Sequence, residues 1–329
     1  MKTFISLSAL FLSLSLTAQT NTATWYLNDT SGSGIQSTTN TASGDYSTAM
    51  GLGTTASGNP STAMGRGTTA SGDESTAMGY LTTASGRRST AMGAYTTASG
   101  DYSTAMGYYT TASGDFSTAS GEGTTASGMI STAMGAGTTA NGMFSTAMGY
   151  FITASDRSSL IIGQHNLLGS TVTNSATDFS LENTAFVIGN GTNSANRSDA
   201  LVVKFNGDAT LAGNLNINSD ARLKANIVSL GSTLSKLLQI DGKSYTMKKD
   251  ESEKQKIGLL AQDIEKVFPE LVSESHGVKS VNYQGLVPVL INALKEQDAM
   301  MKEQDSRLST QQSEIDELKT MLKTLIEKT

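Results

Sequence analysis

The chain contains no cysteine among its 329 residues, and only one tryptophan, two histidines and 6% aromatic residues. Without cysteine there is no disulfide framework, no thiolate metal site and no acylated cysteine anchor. With only His165 and His276, far apart in sequence, a histidine-based metal cluster is not expected. An excess of positive charge is also missing. The net charge of −6 gives no reason to expect nucleic acid or an anionic membrane as partner. After the first residues no apolar run reaches the ~18 residues that a membrane helix needs, so direct membrane insertion is not expected. The turns Gly189-Asn190-Gly191 do not make a phosphate loop, and no cofactor is expected.

The start does have a pattern. Met1-Lys2-Thr3 is followed by an apolar, serine-rich run from Phe4 to Leu16 and then Thr17-Ala18-Gln19. One positive charge, a short apolar stretch and a small residue near its end describe a secretory signal peptide over 1–18, and with it a secreted or cell-surface protein. The competing reading is a buried N-terminal helix.

From Gly44 to Gly149 a glycine stands at every seventh position. The intervening text alternates between Thr-Ala-Ser-Gly (Thr41 to Gly44) and Ser-Thr-Ala-Met-Gly (Ser47 to Gly51), so the period is fourteen. A short fixed period marks a chain that stacks on itself. Two short strands per coil, with a turn after each, predict a parallel β-solenoid over 41–168, preceded by a lead-in over 19–40. With coils about 4.8 Å apart, eight coils would run on the order of 40 Å. Glycine is expected to supply the positive φ of each turn. The variable pairs beside it, such as Asp101-Tyr102, Tyr108-Tyr109 and Met143-Phe144, are expected at outward turns. Strand alternation sets Thr48 and Met50 on one face and Ala49 on the other. The expectation is that the methionines from Met50 to Met148 stack inside as a ladder, with outward alanines allowing close approach of other copies. Low-complexity disorder is the alternative for such text, but disorder does not require an unbroken register.

Further on, Ala185 to Gly189 and Leu201 to Phe205 read as strands, and the alternating Asn214-Leu215-Asn216-Ile217-Asn218 as one more, giving a β neck over 169–218. Charge then changes. Residues 219–329 hold 16 of the 23 Lys+Arg and 17 of the 29 Asp+Glu. At the end, Leu294, Met301, Leu308, Ile315 and Leu322 recur every seven residues, with Gln297, Gln304, Gln311, Leu318 and Leu325 three later. These are the a and d positions of a coiled coil over 295–329; a lone amphipathic surface helix is the competing reading.

The repeat, with Ser47-Thr48-Ala49-Met50-Gly51, resembles the fourteen-residue unit of trimeric autotransporter adhesin heads, built around Ser-Val-Ala-Ile-Gly. That resemblance covers about residues 35–168 and implies a left-handed parallel β-roll with three chains side by side. Those adhesins end in a membrane-anchor barrel, which this text lacks. A second resemblance rests on three ordered blocks: Ser219-Asp220-Ala221-Arg222-Leu223-Lys224, then Gly258 to Val272, then Val281 to Leu290. Together they resemble the intramolecular chaperone domain of phage endosialidase tailspikes, expected here over 219–294 as an α+β domain. That family's domain trimerises, guides folding of the β-structure ahead of it, and cuts itself off. Carried over by position, Ser219 is the nucleophile, Lys224 the base, and the cut falls between Asn218 and Ser219.

The residue types suit the chemistry. A serine hydroxyl is a poor nucleophile until a base takes its proton, and lysine serves as that base in several unrelated proteases. A lysine accepts a proton only when its surroundings favour the neutral amine, which burial does. Burial of Lys224 on assembly would hold cleavage back until the trimer has folded. The competing reading makes Ser219 a helix N-cap and Lys224 a solvated charge. The sequence therefore points to a secreted homotrimeric fibre that processes itself once and acts on no other substrate. A host-surface or glycan receptor is the expected external partner. Alternatives are a structural spacer without ligand, or an ice-binding solenoid presenting the paired threonines (54/55 to 138/139) as a flat ladder.

Overall fold

The computed structural model describes residues 26–27, 34–37, 39–169, 172, 174–248 and 253–327. The expected signal peptide lies outside these residues. The chain forms two compact units, Met1–Asn216 and Ile217–Thr329.

In the first unit each coil contributes one longer and one two-residue strand, as in Thr90–Ala94 and Thr97–Ala98. Successive coils pair in parallel with a shift of fourteen, so that Met92 faces Met106 and Gly93 faces Gly107, and Thr97 faces Thr111. The longer strands enter a fourteen-stranded sheet and the short ones a nine-stranded sheet. The main chain is bonded from coil to coil, for example Thr97 N–H to the Thr110 carbonyl at 2.8 Å and Ser99 N–H to the Ala112 carbonyl at 2.9 Å.

The facing of the strands is the reverse of the expectation. Ala91, Ala98, Ala105 and Ala112 are fully buried, and the alanine columns form one continuous core. The methionines turn outward; most are half-buried and Met134 is 39% exposed. The cause is the width of the coil. Only Tyr95 and Thr96 connect the two strands of that coil, and so short a link holds the sheets closer than in an ordinary sandwich. Methyl and hydroxymethyl groups fill the gap along the repeats, with larger side chains, Ile152 and Ile161, only at the last coil. Serine and threonine complete the interior, with Ser89, Thr96, Ser103 and Thr110 all at 0% exposure. The first threonine of each pair is therefore inside, and the flat double ladder needed for ice binding does not form.

The turns follow the expectation only in part: the glycine column from Gly51 to Gly149 has positive φ, as Gly93 at 117° does. Much of the positive φ falls on the variable residues themselves: Tyr95 at 56°, Tyr102 at 58°, Tyr109 at 52° and Phe116 at 58°. Gly86 has no positive φ. It is glycine because a Cβ there would run into the carbonyl of Gly100 in the next coil. Close approach of backbones, more than turn geometry, sets that column.

Beyond Leu160–Gln164 the longer sheet continues with the parallel strand Thr184–Asn190, then the antiparallel Asp199–Lys204 and Ala209–Leu211. The neck strands at 185–189 and 201–205 thus appear within a residue or two. The one expected at 214–218 does not. Those residues find no partner strand, and Leu215 and Ile217 are 68% and 60% exposed.

The second unit contains the helices α1 (Leu234–Leu237), α2 (Ala261–Val267) and α3 (Leu286–Ile326), with two small antiparallel hairpins, Lys243–Tyr245 with Lys256–Gly258 and Val272–Ser275 with Val278–Val281. Ile264, Phe268, Leu271, Leu286 and Val289 make its core, with Leu237 of α1 packed against it. The 41-residue α3 begins before the heptad pattern, because Leu286 and Val289 are used in that core and Ala293 is buried as well; Pro288 falls in its first turn, where no backbone donor is lost. At 1.5 Å per residue α3 is about 60 Å long. Its a and d residues are open to solvent, from Leu294 at 66% to Ile315 at 46% and Leu325 at 66%. Among the described residues no helix is long and apolar enough to cross a membrane.

Candidate self-processing site

Ser219 and Lys224 are brought together by one tight turn. Asp220 caps it: its carboxylate accepts from the Arg222 N–H at 2.9 Å and holds the Arg222 guanidinium through a 2.6 Å contact. The Arg222 guanidinium beside it holds the Asp220 carboxyl below the usual range, and Asp220 raises the guanidinium in return. The 3-10 turn Ala221–Leu223 then closes with Leu223 N–H and Lys224 N–H bonded to the carbonyls of Asp220 and Ala221, both at 3.1 Å. The chain comes back on itself, and Lys224 Nζ donates to Ser219 Oγ at 2.7 Å.

The N-cap is thus Asp220, and the Ser219 hydroxyl is left for lysine. Asn218 precedes it in open, irregular chain. Ser219 and Lys224 are exposed in the single chain, as are the apolar Leu223, Ile227, Val228 and Leu230 after them. As it stands the bond runs from Lys224 Nζ to the hydroxyl. Nucleophilic attack needs the opposite polarity, with a neutral amine accepting the serine proton. The cap and clamp made by Asp220 and Arg222 went unread in the sequence, although an Asx cap two residues before its backbone donor is a legible signal.

The other candidates lie apart. His165 is buried against Tyr150 and Phe151. His276 sits at the turn between Val272–Ser275 and Val278–Val281, its Nδ1 2.9 Å from Ser275 Oγ. Among the described residues no three His, Cys, Asp or Glu side chains gather as a metal site. The outward turns collect aromatic rings: Tyr95 and Tyr109 stack at 4.6 Å, with Tyr80 and Tyr108 edge-on to Tyr95, and Tyr102 stacks on Phe116 at 4.7 Å.

Comparison with known families follows the same division. Residues 34–151 match the YadA head domain repeat in overlapping copies, and residues 219–273 match the chaperone of endosialidase. The second match begins at Ser219 itself. The long tail fiber protein Gp37 of Salmonella phage S16 is 30% identical over 132 residues, which is 37% of this chain and 16% of that protein. The chain is thus similar to a phage tail fibre and carries adhesin-type head repeats ahead of an endosialidase-type chaperone segment.

Proposed function

We propose that the chain is a secreted, homotrimeric fibre whose segment 219–294 acts as an intramolecular chaperone and separates from it by one self-cleavage between Asn218 and Ser219. The contact between Lys224 Nζ and Ser219 Oγ supports this reading most directly. In the proposed step Lys224, as the neutral amine, takes the Ser219 hydroxyl proton. The freed Oγ attacks the Asn218 carbonyl carbon through a five-membered ring. The Ser219 nitrogen leaves with a proton, and an ester joins Asn218 to Oγ. Water then hydrolyses the ester, giving the Asn218 carboxylate and a free Ser219 amine. Self-association removes Lys224 from water and favours the amine.

Self-association is supported by three surfaces left open in the single chain: the outward methionine columns, the apolar residues after Leu223, and the heptad stripe of α3. They fit a head over 41–168, a neck over 169–218 and a terminal coiled coil over 295–329. Adhesin heads and tail fibres work outside the cell, in keeping with a signal peptide over 1–18. Receptor or glycan binding falls to the turn aromatics in this reading. The competing reading is a spacer without ligand. Alanine replacement of Tyr102, Tyr108, Tyr109, Phe116 and Phe144, assayed on host cells and glycans, separates the two.

Expression of the wild type beside Ser219→Ala and Lys224→Ala tests the cleavage. The wild type should release a fragment of 111 residues (329 − 218), and neither variant should. Release from either variant, or an intact wild-type trimer, overturns the assignment.

A further inference from the structure

The two solenoid sheets do not end together. The short-strand sheet stops at Thr153–Ala154, while the longer sheet runs on through Thr184–Asn190 and Asp199–Lys204. The space that a further short strand would fill is a cavity of about 330 Å³, within the size range of small-ligand sites. Asn166 takes the place of the missing strand on one side: its amide accepts from Thr153 N–H at 2.8 Å and donates to the Thr153 carbonyl at 3.0 Å.

Asp156 lines this cavity and stands in the column occupied by glycine from Gly44 to Gly142. Among the described residues no further coil of the repeat lies above it to collide with a side chain. It is 4% exposed. Its Oδ2 accepts from Thr184 N–H at 2.7 Å, but its Oδ1 is buried without any partner. A buried carboxyl oxygen left so is costly, and the bond to Thr184 explains only Oδ2. Asp199 also lines the cavity, its Oδ1 taking Leu167 N–H at 3.0 Å. Burial pushes the Asp199 carboxyl up. Among the described residues Lys204 is the one cationic side chain in the lining, and it is held by Glu182 at 2.8 Å. The cavity therefore carries two uncompensated carboxylates beside an apolar wall of Ile161, Val187 and Val202.

We propose that this cavity is a binding site for a small ligand bearing an ammonium group on an apolar body, with the ammonium donating to Asp156 Oδ1 and Asp199. The site is independent of the self-cleavage reading.

Calorimetric titration of the full chain with cyclohexylammonium, against cyclohexanol as its neutral counterpart, tests it. The ammonium should bind at millimolar concentration or below, and cyclohexanol should not. Asp156→Asn and Asp199→Asn, each checked for an unchanged far-UV spectrum, should weaken binding on the order of tenfold or more, as loss of a charge-assisted hydrogen bond does. Absence of ammonium binding to the wild type, equal binding of cyclohexanol, or unchanged affinity in folded variants overturns the proposal. The comparison of the two probes on the wild type decides it even where a variant fails to fold.

Discussion

The carbonyl of Gly100 lies directly over the Gly86 Cα, at a place where a Cβ on Gly86 would sit far inside van der Waals contact. Gly53, by contrast, faces open space and has φ of 64°. The two glycines are needed for different reasons, and their alanine variants should separate. Gly86→Ala forces adjacent coils apart and should cost at least about 2 kcal/mol. Gly53→Ala meets only the left-handed penalty of about 1 kcal/mol. Thermal melts of the two variants check the order; a Gly53 variant that melts lower than the Gly86 variant would refute it.

The buried threonine hydroxyls give an unusual expectation. Thr96 is at 0% exposure and its Oγ1 has no partner. Replacing it by valine keeps the shape and removes a desolvated polar group. Thr96→Val should leave the melting midpoint unchanged or raise it, by up to about 1 kcal/mol of stability. A loss greater than that would mean the hydroxyl is bonded in solution.

Lys224→Arg addresses the dyad without removing the cation. A guanidinium can still approach Ser219 Oγ but stays protonated and cannot serve as a base. The full-length chain should associate as the wild type does and remain uncut on a denaturing gel. Cleavage at the wild-type rate would show that Lys224 acts only as a positive charge.

Glu296 ties α3 to the start of α1. Its carboxylate accepts from the Ser232 hydroxyl and from the N–H groups of Thr233 and Leu234. These bonds, the Ser232 hydroxyl foremost, hold its carboxyl below the usual value. A depressed folded-state pKa stabilises above the unfolded carboxylate range, near 4.3, and that contribution is lost as pH falls through the lowered value. Hydrogen exchange at Thr233 and Leu234, taken relative to the intrinsic amide rate at each pH, should therefore accelerate on acidification below that range. In Glu296→Gln it should be fast at neutral pH as well. Equal protection in wild type and variant would remove Glu296 from this role.

The outward methionines test the association. Met92→Glu with Met106→Glu places charge on a face that is half-buried in the single chain. The solenoid's far-UV spectrum should persist while the mass by light scattering falls toward that of one chain. An unchanged oligomer would place the contact elsewhere.

The sequence by itself determined the period, the register and the strand content of the repeats, because glycine and the Ser-Thr-Ala-Met text recur at covalently fixed intervals and stacking like on like is the one register that satisfies them all. It also marked Ser219 and Lys224 as a candidate pair, through the resemblance carried by the three blocks from Ser219 to Leu290; their spacing alone would have left them a cap and a solvated charge. Tertiary structure alone decided which face went inside. Alternation separates Met92 from Ala91 but carries no sign; the narrow gap between sheets chose alanine and buried Thr96 with it. The same holds for the cavity beside Asp156. It exists because one sheet outruns the other, a mismatch set by strands that return from twenty and more residues away and invisible in the local pattern around any one of them.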